Sequence, residues 1–378
     1  MPPIKAVAVA CDMVTPYGWG IDPCWQALLD GKTALGPFSR FDTKSFQTGN
    51  AGIIQDLSPD GEESLVMQML RPLIAGSASA IPQDARVILA TTTGEIEIVQ
   101  QGVLNGRKDV SSGCPDRLLK KVISLCETKA SGMVVSSACA SSSMAIALGS
   151  ARIRSGECSS VLVVACDSVS EFVFSGFSSL MALDQDKARP FDKNRSGLSL
   201  GEAAGFVLLM SEPRALRESR PIIGEVAGWG LTNDANHMTG PSRDGDGLAL
   251  AIRKSLQSAD TPPEAVGCVS AHGTGTLYND SMELKAFKQV FGNGTVPVYS
   301  IKGGTGHTLG AAGLLETIVA FGSLRSRIVP PTVNLLEVDD DGHGWVSPEP
   351  CTFREPVTLT TNSGFGGVNC ALVLKRQA

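Results

Sequence analysis

Short, largely apolar runs rich in β-branched residues, set between Ala/Gly-rich stretches of helical character, constrain this chain more than any other feature. They fall at residues 4–10, 85–90, 133–136 and 160–165, and again at 222–228, 268–271, 296–300 and 371–375. A strand with one wetted face alternates apolar and polar residues, so runs without alternation read as strands covered on both faces. Helical stretches lie between them at 25–29, 144–154, 248–258, 281–291 and 311–325. This order predicts an α/β body in which parallel or mixed sheet is layered with helices.

The composition agrees with such a body and narrows its partners. Hydrophobic residues make up 43% of the 378 and charged ones 19%, enough to bury a sizeable core. A net charge of −6 and a pI near 5.4 argue against nucleic acid or an anionic membrane as the main partner. The opening Met1-Pro2-Pro3-Ile4-Lys5 shows no secretory pattern, and no uncharged apolar stretch would span a bilayer, so a cytoplasmic protein off the membrane is expected. Ten cysteines include no CxxC pair, which suggests neither a zinc site nor a disulfide framework. Most then act as small buried hydrophobes.

There is an internal echo. Residues 133–156 read as a strand, a small-residue turn with Cys139 and an Ala-rich helix, and 298–327 as a strand, a Gly-rich turn with His307 and a similar helix. One unit used twice would bring two helix N-termini near a shared axis, although Gly/Ala-rich helices also resemble one another by chance. The charged stretch 212–220 reads as a surface connection. Two similar halves sharing one core are therefore expected, 1–220 with the cysteine and 221–378 with the histidines.

Three turns carry candidate chemistry. In Ser136-Ser137-Ala138-Cys139-Ala140 a buried strand ends just before a helix, whose free N–H groups would lower the Cys139 pKa and bind an oxyanion. Taken alone, Cys139 is equally well read as a small residue packing a tight turn. Ser270-Ala271-His272-Gly273-Thr274-Gly275-Thr276 and Lys302-Gly303-Gly304-Thr305-Gly306-His307 each set a histidine in a Gly/Thr turn after a strand. Two of only four histidines fall in such turns; His343 reads as a surface residue and His237 as one near a site mouth. No HxxxH or HExxH supplies metal spacing, and no GxxxxGK[ST] or GxGxxG supports a nucleotide. A fourth element, Thr361-Asn362-Ser363-Gly364-Phe365-Gly366-Gly367, surrounds one aromatic with flexible backbone.

These four elements, in this order, resemble the β-ketoacyl synthases of the thiolase-like superfamily, particularly the elongating type-II synthases acting on acyl carrier protein. The resemblance covers essentially the whole chain, least at 58–129. It implies a thiolase-like five-layer αβαβα fold and a decarboxylating condensation on Cys139. It implies that His272 and His307 hold the malonyl thioester oxygen, and that the amides of Cys139 and Phe365 form a second oxyanion hole, with the Phe365 ring as a gate. Lys302 would act electrostatically on the histidines and Thr274, Thr276 and Ser363 would contact substrate. Asp280, Glu283 and Glu316 would be structural, the last beside the histidines. No metal and no cofactor is expected beyond the phosphopantetheine that carries the substrates. The implied partners are acyl carrier protein and a second subunit, identical or related.

The sequence departs from the family where its last loop usually reads Asn-Ser-Phe-Gly-Phe-Gly-Gly: Thr361 stands at the leading Asn and Ser363 at the first Phe. Ser270 stands where Asn usually precedes the first histidine. These changes imply an altered or absent buried cation site and a wider pocket. The charged run Thr91-Thr92-Thr93-Gly94-Glu95-Ile96-Glu97 falls where the family lines its acyl pocket and dimer interface. A thiolase-like or initiating synthase using coenzyme A and a non-catalytic partner subunit resembling chain-length factors are the alternatives. The first usually lacks the second histidine and the other lacks the nucleophile.

Overall fold

In the computed structural model, which describes residues 4–59, 63–106, 111–292 and 296–376, the chain passes through the same strand order twice. The first pass is β1 (Ala6–Thr15), β2 (Arg86–Ala90), β3 (Gly132–Val135), β4 (Ser160–Asp167) and β5 (Ala203–Ser211). The second is β6 (Gly224–Asn233), β7 (Val266–Ser270), β8 (Val298–Tyr299), β9 (Val357–Gly364) and β10 (Val368–Lys375). Across the sheet the order is β3-β2-β4-β5-β1, then β6-β10-β9-β7-β8. In each pass the last strand is antiparallel to both neighbours, and the three beyond it are parallel to one another. The passes meet where β1 pairs with β6 at Val7–Glu225 and Ala8–Gly224.

The helices that position the site are α1 (Leu65–Ser77), α2 (Ile96–Leu104), α3 (Pro115–Leu125), α4 (Ser141–Arg154), α5 (Glu171–Ser179), α6 (Asp246–Ser258), α7 (Leu277–Phe291) and α8 (Ala312–Ser326). α4 follows β3 and α8 follows β8, and the two lie side by side between the halves of the sheet. Small residues make that approach: the Leu314 amide donates to Ser142 Oγ at 2.9 Å, and a methyl at Gly313 would fall 1.9 Å from Ser143 Oγ. A helix covered all round has no polar face, and α8 is buried from Ala312 to Phe321 without a break. On one outer face α1 and α3 set Leu65, Leu70 and Leu118 against Val87, Leu162 and Leu208. On the other, α6 and α7 set Ile252, Leu256 and Phe287 against Val269, Leu359 and Val373. The layers run helix, sheet, helix, sheet, helix, the five-layer αβαβα arrangement expected from the sequence.

Several sequence readings need correction. The strand read at 4–10 runs on to Thr15, and that at 296–300 shortens to Val298–Tyr299. β5 and β9 were not anticipated. β9 alternates although both its faces are buried from Val357 to Asn362; Thr358, Thr360 and Asn362 share one face, and Asn362 there meets Ser143 and Glu316 of the central layer. α7 begins at Leu277, not 281, because its first turn turns acidic side chains inward. Helices α1, α2, α3 and α5 were also not anticipated, and the connection at 212–220 holds a short helix, Glu212–Arg217. Among the described residues no helix is long and apolar enough to cross a membrane.

Candidate active site

Cys139 sits in the turn between β3 and α4, where Ala138 adopts a left-handed φ of 47°. The turn is tied by Ser141, whose hydroxyl accepts from the Ser137 amide at 2.8 Å and donates to the Ala138 carbonyl at 2.6 Å. The thiol is almost fully covered, and burial pushes it up to about 11, against the pull of the Lys302 ammonium and an N–H from Phe365. Burial thus acts against the lowering expected from the helix N-terminus and raises the thiol. The end of β9 closes over this cysteine, since a Cβ on Gly364 would lie 3.2 Å from the Cys139 nitrogen.

His272 follows β7, and the acidic first turns of α7 hold its backbone. Glu283 accepts from the amides of His272 at 2.7 Å and Gly273 at 2.6 Å, and from the Thr361 hydroxyl at 3.1 Å. Asp280 accepts from the amides of Thr274 at 3.0 Å and Phe191 at 2.8 Å. Both acids are fully buried; burial raises both, and Glu283, with Asp280 beside it, reaches about 7. Around the ring, His272 Nδ1 faces Lys302 Nζ at 3.3 Å and Asn362 Nδ2 at 3.4 Å. Lys302 pairs with Glu316, whose other oxygen accepts from Asn362 at 2.6 Å. Burial raises Glu316 while Lys302 opposes the shift.

His307 follows the short Lys302–Thr305 helix, and its Nδ1 accepts from the Leu309 amide at 3.1 Å. Donors thus face Nδ1 of both histidines, so in the neutral ring the proton sits on Nε2. Burial first, then the Lys302 charge, drives both imidazoles well below their usual pKa. The rings stand nearly perpendicular with centroids 5.2 Å apart, and the buried His307 Nε2 has no partner among the described residues. One ligand atom from each of Cys139, His272 and His307 lies within 4.8 Å of the others.

The trio opens into a cavity of about 600 Å³. Its walls include Thr274 and Thr276, whose hydroxyls share a hydrogen bond of 2.9 Å, and Ser363, which donates to Asn369 at 2.7 Å. Phe365 also lines it, its ring 5.7 Å from that of Phe177. His237 lies at this cavity, with Nδ1 capped by the Thr239 and Gly240 amides at 3.1 Å each, whereas His343 is exposed elsewhere. Every site residue singled out in the sequence therefore lines the cavity or bonds to a residue that does, except Glu316, which reaches it through Lys302 and Asn362. Asn362 was passed over; placing 358, 360 and 362 on one face of a strand would have brought it to notice.

A cysteine and two histidines gathered at the seam of a doubled five-strand fold define a condensing enzyme of the thiolase-like kind. Models of the N-terminal and C-terminal domains of β-ketoacyl synthases match residues 121–215 and 223–336. The chain is 30% identical to 3-oxoacyl-[acyl-carrier-protein] synthase 2 of Vibrio cholerae over 99% of each. It is 31% identical to the granaticin polyketide putative β-ketoacyl synthase 1 of Streptomyces violaceoruber over 98% of each. Among solved structures it superposes on the ishigamide ketosynthase/chain length factor with a TM-score of 0.90 at 28% identity, covering 100% of both chains. A β-ketoacyl synthase from Burkholderia phymatum gives 0.90 at 25% identity over 99% of this chain and 100% of that one. The chain belongs to the β-ketoacyl synthase family and is an acyltransferase.

Proposed function

We propose that the chain condenses an acyl group held on Cys139 with malonyl-acyl carrier protein, giving 3-oxoacyl-acyl carrier protein and CO2 in fatty-acid, polyketide or polyene synthesis. The observation that carries this reading is the buried trio of Cys139, His272 and His307, one ligand atom of each within 4.8 Å of the others, with donors facing Nδ1 of both rings. In the first half-reaction the Cys139 sulfur attacks the acyl thioester, and its proton ends on the departing carrier thiol. The amides of Cys139 and Phe365 meet the oxyanion. In the second, malonyl thioester loses CO2 and its carbonyl oxygen gains charge between His272 and His307. The enolate carbon attacks the acyl carbonyl and Cys139 leaves as thiolate.

Lys302 and Asn362 keep His272 in the donating tautomer, and Glu316 supports both. Asp280 and Glu283 are structural, holding the backbone of the His272 turn. Thr274, Thr276 and Ser363 line the path for the carrier arm. The same tautomers favour this reading over a zinc site. Metal bound through Nε2 would move each proton to Nδ1, against the donors Lys302, Asn362 and Leu309.

The partners we propose are acyl carrier protein and a second subunit, identical or related, set on the β3 edge of the sheet. That strand is partly exposed along its length, with exposed Val103, Leu104 and Phe172 on α2 and α5. We place the halves at 1–220 and 221–378, as the repeated strand order supports. The cytoplasm is the compartment proposed, where ten free thiols suit a reducing medium.

Mass spectrometry after incubation with an acyl-carrier thioester should show the acyl group on Cys139, and malonyl-carrier should then be decarboxylated. A chain that never acylates, in a pathway whose output survives Cys139→Ala, would instead be a chain-length-factor-like partner.

A further inference from the structure

Asp167, at the end of β4, has no part in the steps above. It is fully buried and accepts from six donors: the hydroxyls of Thr91 at 2.7 Å, Thr92 at 2.9 Å and Thr93 at 3.1 Å, and the amides of Thr92 at 3.0 Å, Thr93 at 3.1 Å and Gly310 at 2.7 Å. A buried carboxylate survives by such bonds, and so many fix its position.

Its last donor leads to the active site. Gly310 follows Leu309, whose φ of 54° lies in the left-handed region that a leucine rarely adopts. In this conformation the Leu309 amide reaches back to His307 Nδ1 at 3.1 Å, while the next amide reaches Asp167. The fit allows only glycine: a Cβ at 310 would lie 2.8 Å from Asp167 Oδ2 and 3.0 Å from the Thr92 nitrogen.

We propose that Asp167 is a positioning residue for His307. By anchoring the Gly310 amide it keeps the strained Leu309 N–H on Nδ1, and so holds His307 as the Nε2–H tautomer. The same carboxylate holds residues 91–93, so that loop and the histidine are fixed to one point. The inference rests on the reading of His307 as a donor to the malonyl thioester.

Asp167→Asn keeps the size but replaces one oxygen by an NH2 group, a donor set among donors. Nitrogen-15 spectra of labelled histidine, assigned with His307→Ala, report the tautomer directly, which a merely structural role would leave alone. Wild-type His307 should be a single neutral Nε2–H form. In Asp167→Asn the Nδ1–H form should become populated, and malonyl decarboxylation should fall about 10²-fold, as for loss of one oxyanion donor. Cys139 acylation should not fall, because the Asp167 charge raises the thiol and its removal acts the other way. Gly310→Ala presses on the same oxygen from the other side, should act in the same direction, and carries the test where Asp167→Asn does not fold. A folded variant that keeps both the Nε2–H tautomer and wild-type decarboxylation overturns the proposal, as does a wild-type His307 protonated on Nδ1. A wild-type chain that fails to acylate Cys139 removes the functional reading beneath it instead.

Discussion

Raising the pH tests the balance of forces on Cys139. Burial raises the thiol most, Asp167 and Glu316 raise it further, and Lys302 and the Phe365 amide pull it down, leaving it at about 11. With that value the thiolate fraction is about 10⁻³ at pH 8 and grows tenfold per pH unit. Only the thiolate alkylates, so the logarithm of the iodoacetamide rate at Cys139 should climb with a slope of about one from pH 7 to pH 10. Peptide mass spectrometry resolves that rate, with exposed Cys114 as an internal reference for reagent and pH. Glu316→Gln removes a charge that raises the thiol, so alkylation should be faster at every pH. A rate that levels off near neutral pH would refute the reasoning. It would mean that the N-terminus of α4 stabilises the thiolate more than burial destabilises it.

His307→Ala removes one of the two Nε2–H donors and should slow malonyl decarboxylation by about 10²–10³, with Cys139 acylation retained; equal losses in both half-reactions would contradict separate roles. Lys302→Met leaves Glu316 as an unpaired buried charge and should destabilise the fold by about 3–5 kcal/mol in chemical unfolding. Adding Glu316→Leu should recover part of that loss, and no recovery would deny the pairing. Glu283 lies at about 7 in the fold against an ordinary 4.5, so its protonated form is the favoured one there. Its contribution, about 3 kcal/mol, is complete below about pH 4.5 and is lost as pH rises through about 7. Unfolding midpoints should therefore decline across this window in the wild type and decline less in Glu283→Gln; identical pH profiles would sink that assignment.

What the sequence made legible was local. Cys139, His272 and His307 each stand in a turn between a strand and a helix, and such turns announce themselves by glycine, serine and threonine. The buried strands β2, β4 and β7 were legible as unbroken apolar runs, whereas β5, equally buried, was missed. β9 was not legible, because its inward side is polar, and that polarity is understood only once Glu316 and Ser143 are known to face Asn362. Asp167 was equally silent, its partners lying 74 to 143 residues away. The sequence placed Cys139 beside a helix end that should acidify it, but could not weigh the desolvation that opposes this.

The doubled strand order explains how so few residues from distant parts of the chain come to one point. Each pass sends its third strand into a buried helix. Cys139 stands at the start of α4, and His307 shortly before α8. Because α4 and α8 touch through Ser142, Ser143 and Gly313, nothing large holds the two starts apart. His272 arrives differently, from the end of the second strand of the second pass, β7, and is braced by Asn362 from the fourth, β9. The first pass has the same two positions. Thr91 to Thr93 follow β2, and Asp167 from β4 braces them. One bracing scheme is thus used twice, once for His272 and once for a loop tied to Gly310 beside His307. Thr361 and Ser363 lie on either side of Asn362 on β9, where the Thr361 hydroxyl donates to Glu283 at 3.1 Å and the Ser363 hydroxyl to Asn369 at 2.7 Å.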